Sequence, residues 1–249
     1  MIFIALLILL IPSMAAAQYA DLLERYVVQE RWVDYDAWRN SPEDRAALQA
    51  YIDGLVTTDI FALDHDAQIA TWINLYNALT VDLILDNEPV ASIKDLGSLM
   101  TSPWEPVLVT VAGRELSLNE IEHKILGKDF AEPRIHFALN CASVSCPPLG
   151  AQEYTAGNLD SLLDEASSRA LHDEAWFDPS GCGGAYGSGT LRLTRLFDWF
   201  SDDFGGEEGV RAFIQRYRPE LRFQLLNTGC TLEYMDYDWN LNAPPESGT

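Results

Sequence analysis

The chain has 249 residues, enough for one large domain with a substantial core, and a formal charge of −22 from 38 acidic and 16 basic residues. So acidic a surface repels polyanions, which excludes nucleic acid as a partner and disfavours anionic lipid. Beyond the N-terminal run no apolar stretch is long enough for a bilayer, so no membrane span is expected in the mature form.

Ile2 to Ile11 is an apolar run followed by Pro12 and by Ala15-Ala16-Ala17. This is the apolar region and small-residue cleavage pattern of a signal peptide, although the first residues lack Lys or Arg. A retained anchor is the competing reading. The expected organisation is a signal peptide over 1–17, one domain over 18–242 and a disordered tail over 243–249. The expected localisation is periplasmic or secreted. Four cysteines remain, Cys141, Cys146, Cys182 and Cys230. An even count in an exported chain suggests disulfides, and four cysteines allow three pairings.

Tyr19 to Val27 predicts a first helix, and VDYDAW (Val33 to Trp38) a short extended segment. Ser41-Pro42-Glu43 is a helix start, with Ser as N-cap and Pro in the first turn, for a helix to about Gly54. A long helix follows from Asp66 to Pro89, with Ile69, Trp72, Ile73, Tyr76, Leu79 and Leu83 at three- and four-residue steps. Val107 to Ala112 alternates as a strand, and Gly113-Arg114 turns it back into a hairpin. Ser117 to Glu120 is a capping box that opens a helix ended by Gly127. RIHFALN (Arg134 to Asn140) alternates as a strand, with His136 on the face opposite Ile135, Phe137 and Leu139. Pro147 and Pro148 stop any continuation. Thr155 is the expected cap of a helix running to His172. Strands are expected at 175–177, 190–196, 221–226 and, loosely, 231–239, with a helix at 207–217. Helices come early and strands late, which predicts a single α+β domain with a mainly antiparallel sheet packed against several helices.

One segment concentrates chemistry. HFALNCASVSC holds an imidazole, two thiols and two hydroxyls within eleven residues. A thiolate is a strong nucleophile, and a nearby imidazole lowers its pKa and carries its proton. Cys141 is the candidate nucleophile, His136 or His123 the base, and Glu122 the orienting group or second base. Asn74, Asn77, Asn140, Ser143, Cys146 and Arg134 are the candidate pocket residues. Buried amides such as Asn74 and Asn77 need partners, so they either clamp a neighbouring loop or line the pocket. The competing reading for Cys141 and Cys146 is a plain disulfide across the intervening turn. A zinc site would need His123, His136, Cys141 and Cys146 together, at a spacing that matches no common zinc pattern. Gly181 to Gly189 lacks both a GK[ST] ending and a G-x-G-x-x-G fingerprint, and reads as a hairpin loop. No cofactor or metal is expected. Cys182 in that loop and Cys230 in the late β region are placed to pair. His65 and His172 lie among polar residues and read as solvated.

The blocks WINLYNA (Trp72 to Ala78), LSLNEIEHKIL (Leu116 to Leu126), PRIHFALNCASVSCPPL (Pro133 to Leu149) and YDWNLN (Tyr237 to Asn242) resemble the domain of unknown function 547 family, in order, over roughly Val33 to Asn242. The resemblance implies an exported bacterial member and transfers no catalytic residue. Plant relatives resemble this chain at Cys141 but carry Ser where it has Cys146, which implies a role for Cys141 other than an obligate disulfide.

Two functional classes follow. One is a thiol-dependent hydrolase or acyl transferase built on Cys141 and the histidines. The other is a non-catalytic binding or scaffold domain for a small-molecule, peptide or glycan ligand, with structural cysteines.

Overall fold

The structure is a computed structural model that describes residues 14–245 except 88, 99, 184–187 and 227–228, with side chains from residue 18. The apolar part of the expected signal peptide and residues 246–249 of the expected tail lie outside the described residues.

Helix α1 (Met14–Tyr26) runs through the expected cleavage point and buries Tyr19, Leu22, Leu23 and Tyr26, a three- and four-residue stripe. A short antiparallel pair, β1 (Val27–Val28) and β2 (Trp32–Val33), leads into α2 (Tyr35–Arg39). The extended segment expected over 33–38 is therefore mostly helix. The Asp34 side chain accepts from Ala37 N and nucleates the turn. Helix α3 (Pro42–Thr57) starts as expected, with Ser41 Oγ accepting from Asp44 N. Tyr19 stacks on Tyr51 and Tyr26 on Trp38, with centroids 4.0 and 4.6 Å apart. These contacts lock α1 onto α2 and α3.

Helix α4 (His65–Leu85) is the spine, capped by the Asp64 side chain. Its apolar stripe is buried apart from the partly buried Leu83, and Asn74 and Asn77 are buried with it. β3 (Val107–Val111) and β4 (Arg114–Ser117) form the expected hairpin, turning at Ala112-Gly113 with φ of 48° and 77°. Ser117 and Glu120 then make the capping box in both directions. The following turn, Glu120–Leu126, is wound as a π-helix. Gly127 does not end it. Its N–H reaches back to Glu122 O, and α5 (Gly127–Asp129) carries the helix to Phe130.

Residues 134–140 are not a strand. Pro133–Phe137 is a 3-10 turn, with Pro133 in the first position and the Glu132 side chain accepting from Arg134 N. Every residue from Arg134 to Asn140 is buried, so alternation of residue type does not mark an in-and-out pattern. Ile135 packs into one apolar cluster and Phe137 into another.

Helix α6 (Leu159–His172) begins later than expected. Asn158, not Thr155, precedes its first turn, and Asn158 Oδ1 accepts from Thr155 N. β5 (Phe177–Asp178) pairs antiparallel with β6 (Gly189–Leu193), which pairs in parallel with β7 (Cys230–Tyr234). Helices α7 (Leu196–Trp199), α8 (Ser201–Phe204), α9 (Gly206–Tyr217) and α10 (Arg222–Leu226) lie between β6 and β7. The strand expected at 221–226 is instead a 3-10 turn and α10. Leu221 and Leu225 are buried while Arg222 and Phe223 are exposed, a helical spacing that the alternation of LRFQL conceals.

The class is α+β. Among the described residues the strands gather in three small sheets, antiparallel except for β6–β7. A larger apolar cluster surrounds α4, and a smaller one packs α6 and α9 against β5–β7. The seam between the clusters holds the site.

Candidate functional site

A cavity of about 260 Å³ opens at that seam. Tyr76 of α4, Glu122 and His123 of the π-helix, His136 of the 3-10 turn, and Cys141 and Cys146 of the following loop all line it. Leu196, Trp199 and Phe200 come from α7 and its end, Trp104 from the loop before β3, and Tyr237 and Trp239 from the C-terminal segment.

The π-helix widens the backbone by one residue per turn at the point where Glu122 and His123 face the cavity. Glu122 Oε2 accepts from Tyr76 OH at 2.9 Å. Burial, with the Glu122 charge beside it, pushes the Tyr76 hydroxyl well above its usual pKa, so it stays a donor. His136 Nε2 lies 2.8 Å from Asp203 Oδ2. That hydrogen bond holds the Asp203 carboxyl below its usual range. With Nε2 turned to Asp203, Nδ1 of His136 is buried and has no hydrogen-bond partner among the described residues. Phe200 stacks on the His136 ring at 3.8 Å and on the His123 ring at 5.5 Å, so one aromatic ring serves both imidazoles.

Across the loop, Cys141 and Cys146 are paired as a disulfide, with Cα atoms 5.8 Å apart. Cys141 is therefore not a free thiol here, and the nucleophile role expected of it requires its release from Cys146. Its sulfur also lies 3.2 Å from Ser143 Oγ and 3.3 Å from Tyr237 OH. Burial pushes the Tyr237 hydroxyl up, and its contact with Ser143 opposes that shift. The loop is held tightly. Asn140 Nδ2 donates to Pro147 O at 2.6 Å, and Asn140 Oδ1 accepts from Ala142 N at 3.1 Å. Val144 N donates to Asn240 O, and Ser143 bridges to Leu241, which brings the C-terminal YDWNLN block onto the loop. Ala142 takes φ of 58° in this turn, a left-handed conformation costly for a residue with a Cβ.

The remaining candidates sit apart from the cavity lining. Asn74 clamps the Tyr154 backbone, donating to its carbonyl and accepting from its N–H. Asn77 does the same for the cysteine loop, donating to Ala138 O at 2.9 Å and accepting from Asn140 N at 2.8 Å. Arg134 turns away to Glu132, Asp160 and Asp164. Ser143 touches the cavity only through Cys141 and Tyr237, and Asn140 stands behind the loop. Sequence reasoning missed Asp203, Phe200 and the tryptophans. Asp203 lies in an acid-rich stretch 67 residues from its partner, and no spacing signals that pairing.

The aromatic side of the cavity is continuous. Trp239 lies 4.4 Å from Tyr237, 5.7 Å from Trp199 and 5.8 Å from Trp104, centroid to centroid. Trp199 is 47% exposed, unusual for so large an apolar ring. Lys94 Nζ stands 3.7 Å over the Trp239 ring. Among the described residues no three His, Cys, Asp or Glu side chains group closely enough to hold a metal ion. His136 Nε2 is engaged by Asp203 and the two sulfurs are bonded to each other, so the four residues share the cavity wall without forming a ligand set. The second disulfide, Cys182–Cys230, forms as expected inside the smaller cluster, with Cys182 4% and Cys230 0% exposed. Among the described residues no helix is long and apolar enough to cross a membrane.

Residues 60–169 match the sequence model of a family described as a protein of unknown function, DUF547. No curated protein and no solved structure matches. The matched stretch is shorter than the resemblance expected over Val33 to Asn242. It takes in α4, the capping box, the π-helix and the His136 to Cys146 segment, the parts that build one wall of the cavity, and over that stretch the chain is similar to the DUF547 family.

Proposed function

We propose that the cavity is a ligand-binding site and that the chain is a binding domain for a neutral, ring-containing small ligand, a mono- or disaccharide being the best fit. The observation that carries this reading is the aromatic wall of Trp104, Trp199, Tyr237 and Trp239, partly buried apart from the 47% exposed Trp199, that lines one cavity with the polar groups of Asn119, Glu122 and His123. Aromatic faces take the C–H faces of a sugar ring, while carboxylate, imidazole and amide groups take its hydroxyls. A volume of about 260 Å³ suits one or two rings. The strong negative charge of the chain argues against an anionic ligand. The test is a tryptophan-fluorescence titration with a panel of neutral and N-acetylated mono- and disaccharides. A saturable change, weakened at least tenfold by Trp199→Ala, supports the reading. No saturable change with any sugar overturns it.

A second reading is thiol-dependent hydrolysis or acyl transfer. The His136–Asp203 pair, with the His136 ring buried beside the cavity and its Nδ1 unpartnered among the described residues, favours it, since an imidazole oriented by a carboxylate is the form a general base takes. That chemistry needs Cys141 released from Cys146. Acyl-ester turnover that appears only after mild reduction and disappears in Cys141→Ser supports it; turnover insensitive to both counts against it.

Export belongs to the same proposal. Two disulfides fit an oxidising compartment. The mature chain then begins at Gln18, which the intact mass of the secreted protein checks; Met1 retained in a membrane fraction counts against it.

A further inference from the structure

We propose that Cys141–Cys146 is an exchangeable disulfide that oxidises thiols entering the cavity, whereas Cys182–Cys230 is a structural bond. This goes beyond the ligand-binding reading and does not depend on the ligand's being a sugar.

The two disulfides occupy opposite environments. Cys182 and Cys230 are both buried in the smaller apolar cluster, where an incoming thiolate would have to shed its water to approach. Cys141 and Cys146 line the open cavity instead. Within that pair the exposure is uneven. Cys141 is partly exposed, while Cys146 is 5% exposed. Attack is therefore directed at Cys141 Sγ, and Cys146 is the sulfur that leaves.

The surroundings suit each role. Cys141 N–H points at Cys146 Sγ, so a backbone donor awaits the negative charge that develops on the leaving sulfur. Leu139 O also lies beside Cys146 Sγ, where it can accept from the thiol once that sulfur takes a proton. Ser143 Oγ and Tyr237 OH flank Cys141 Sγ and can donate to it when it becomes a thiolate. The loop does not need the S–S bond to hold its shape, because Asn77, Asn140 and the Ser143–Leu241 bridge fix its backbone independently. Reduction can thus leave the two sulfurs poised to close again.

A thiolate attacks Cys141 Sγ, the Cys141–Cys146 bond breaks, and its electron pair leaves on Cys146 Sγ, which takes a proton from water. The product is a mixed disulfide at Cys141. A second thiolate attacks the outer sulfur of that mixed disulfide, releasing Cys141 as a thiolate and the two thiols as their disulfide. Two thiols are oxidised by two electrons, and the protein disulfide is reduced by two.

The test is native-state reaction of the full chain with reduced glutathione, quenched with an alkylating reagent and read by peptide mass. Cys141–Cys146 should open at least tenfold faster than Cys182–Cys230, with the glutathione adduct on Cys141. In Cys146→Ser, oxidised glutathione should label Cys141 to completion; in Cys141→Ser, Cys146 should label at least tenfold more slowly. Equal opening rates for the two disulfides in the wild-type chain, or an adduct mainly on Cys146, overturns the proposal. The wild-type rates decide the matter even where a variant fails to fold. Loss of sugar binding with exchange intact would count against the ligand reading alone.

Discussion

Replacing Asn77 by Ala tests whether the cysteine loop is held by α4. The Asn77 side chain is 3% exposed, and it serves two backbone groups of the loop: Ala138 O at 2.9 Å and Asn140 N at 2.8 Å. Truncation removes both bonds and leaves a buried carbonyl and a buried N–H without their partner. Each orphaned group costs about 1–3 kcal/mol, so the variant should lose about 2–6 kcal/mol. For a chain of this size that is a fall in Tm of about 4–24 °C. Urea unfolding followed by tryptophan fluorescence measures it, and the slope should stay unchanged if both states keep their compactness. Asn77→Asp separates the two bonds. It keeps an acceptor for Asn140 N–H but sets a carboxylate oxygen against Ala138 O, so it should be destabilised more at pH 7 than at pH 4. A loss below about 1 kcal/mol in Asn77→Ala would show that the loop stands without the clamp, and would refute the account of how the site is positioned.

Asp82 lies on α4 in a partly buried position beside Asp86, and burial followed by the Asp86 charge raises its pKa to about 6. The carboxylate's penalty is absent below its unfolded value, grows as pH rises toward 6, and is complete above that. The shift corresponds to roughly 3 kcal/mol undiscounted and about 1–2 kcal/mol once solvent screening is allowed for. Asp82→Asn should therefore stabilise the chain by about 1–2 kcal/mol at pH 7.5 and by nothing at pH 3.5, and equal effects at both pH values would exclude the mechanism. Removing Cys182–Cys230 by a double Ser substitution opens a closure of 48 residues in sequence separation. That should cost about 4 kcal/mol in denaturant unfolding, about twice the cost of losing Cys141–Cys146 by the same chain-entropy relation. Arg134→Met leaves Glu132, Asp160 and Asp164 without their shared cation. Its destabilisation, about 1–3 kcal/mol, should shrink as pH falls through the carboxylate range, and a pH-independent loss would point to packing instead.

The sequence was readable where local chemistry alone decides the structure. Ser41-Pro42 and the Ser117–Glu120 box start their helices because capping groups need no tertiary partner. The α4 stripe is long enough for its period to be unambiguous. Short alternating runs misled. RIHFALN and LRFQLL each offer apolar residues two apart, yet Arg134–Asn140 is buried on every side and Leu221 and Leu225 bury one face of a helical turn. Alternation reports a strand only where one face meets water. The π-helix left no mark in the sequence, nor did Asp203 or the aromatic wall, since each depends on elements distant in the chain. The candidate residues split by a physical distinction that sequence could name but not resolve. Buried amides need partners, and in Asn74, Asn77 and Asn140 those partners are backbone groups rather than a ligand.

That division explains the cost carried by the loop. Ala142 is fully buried with φ of 58°, a conformation that costs a residue with a Cβ about 1–2 kcal/mol. A relaxed turn would avoid it. The turn is held because Asn140 Oδ1 takes the Ala142 N–H, Asn77 takes the Asn140 N–H, and Ala142 O accepts from Asn242 N. Asn242 in turn accepts from Tyr35 OH and gives its own carbonyl to Val33 N. Helix α4, the N-terminal layer and the C-terminal segment thus all converge on one strained residue. The strain turns the chain sharply enough for Cys141 and Cys146 to meet at the cavity wall while Ser143 reaches Tyr237. A loop that served only to connect two elements would have no reason to be fixed from three sides in a disfavoured conformation, so the fixed object is the placement of the two sulfurs on the cavity wall beside Tyr237.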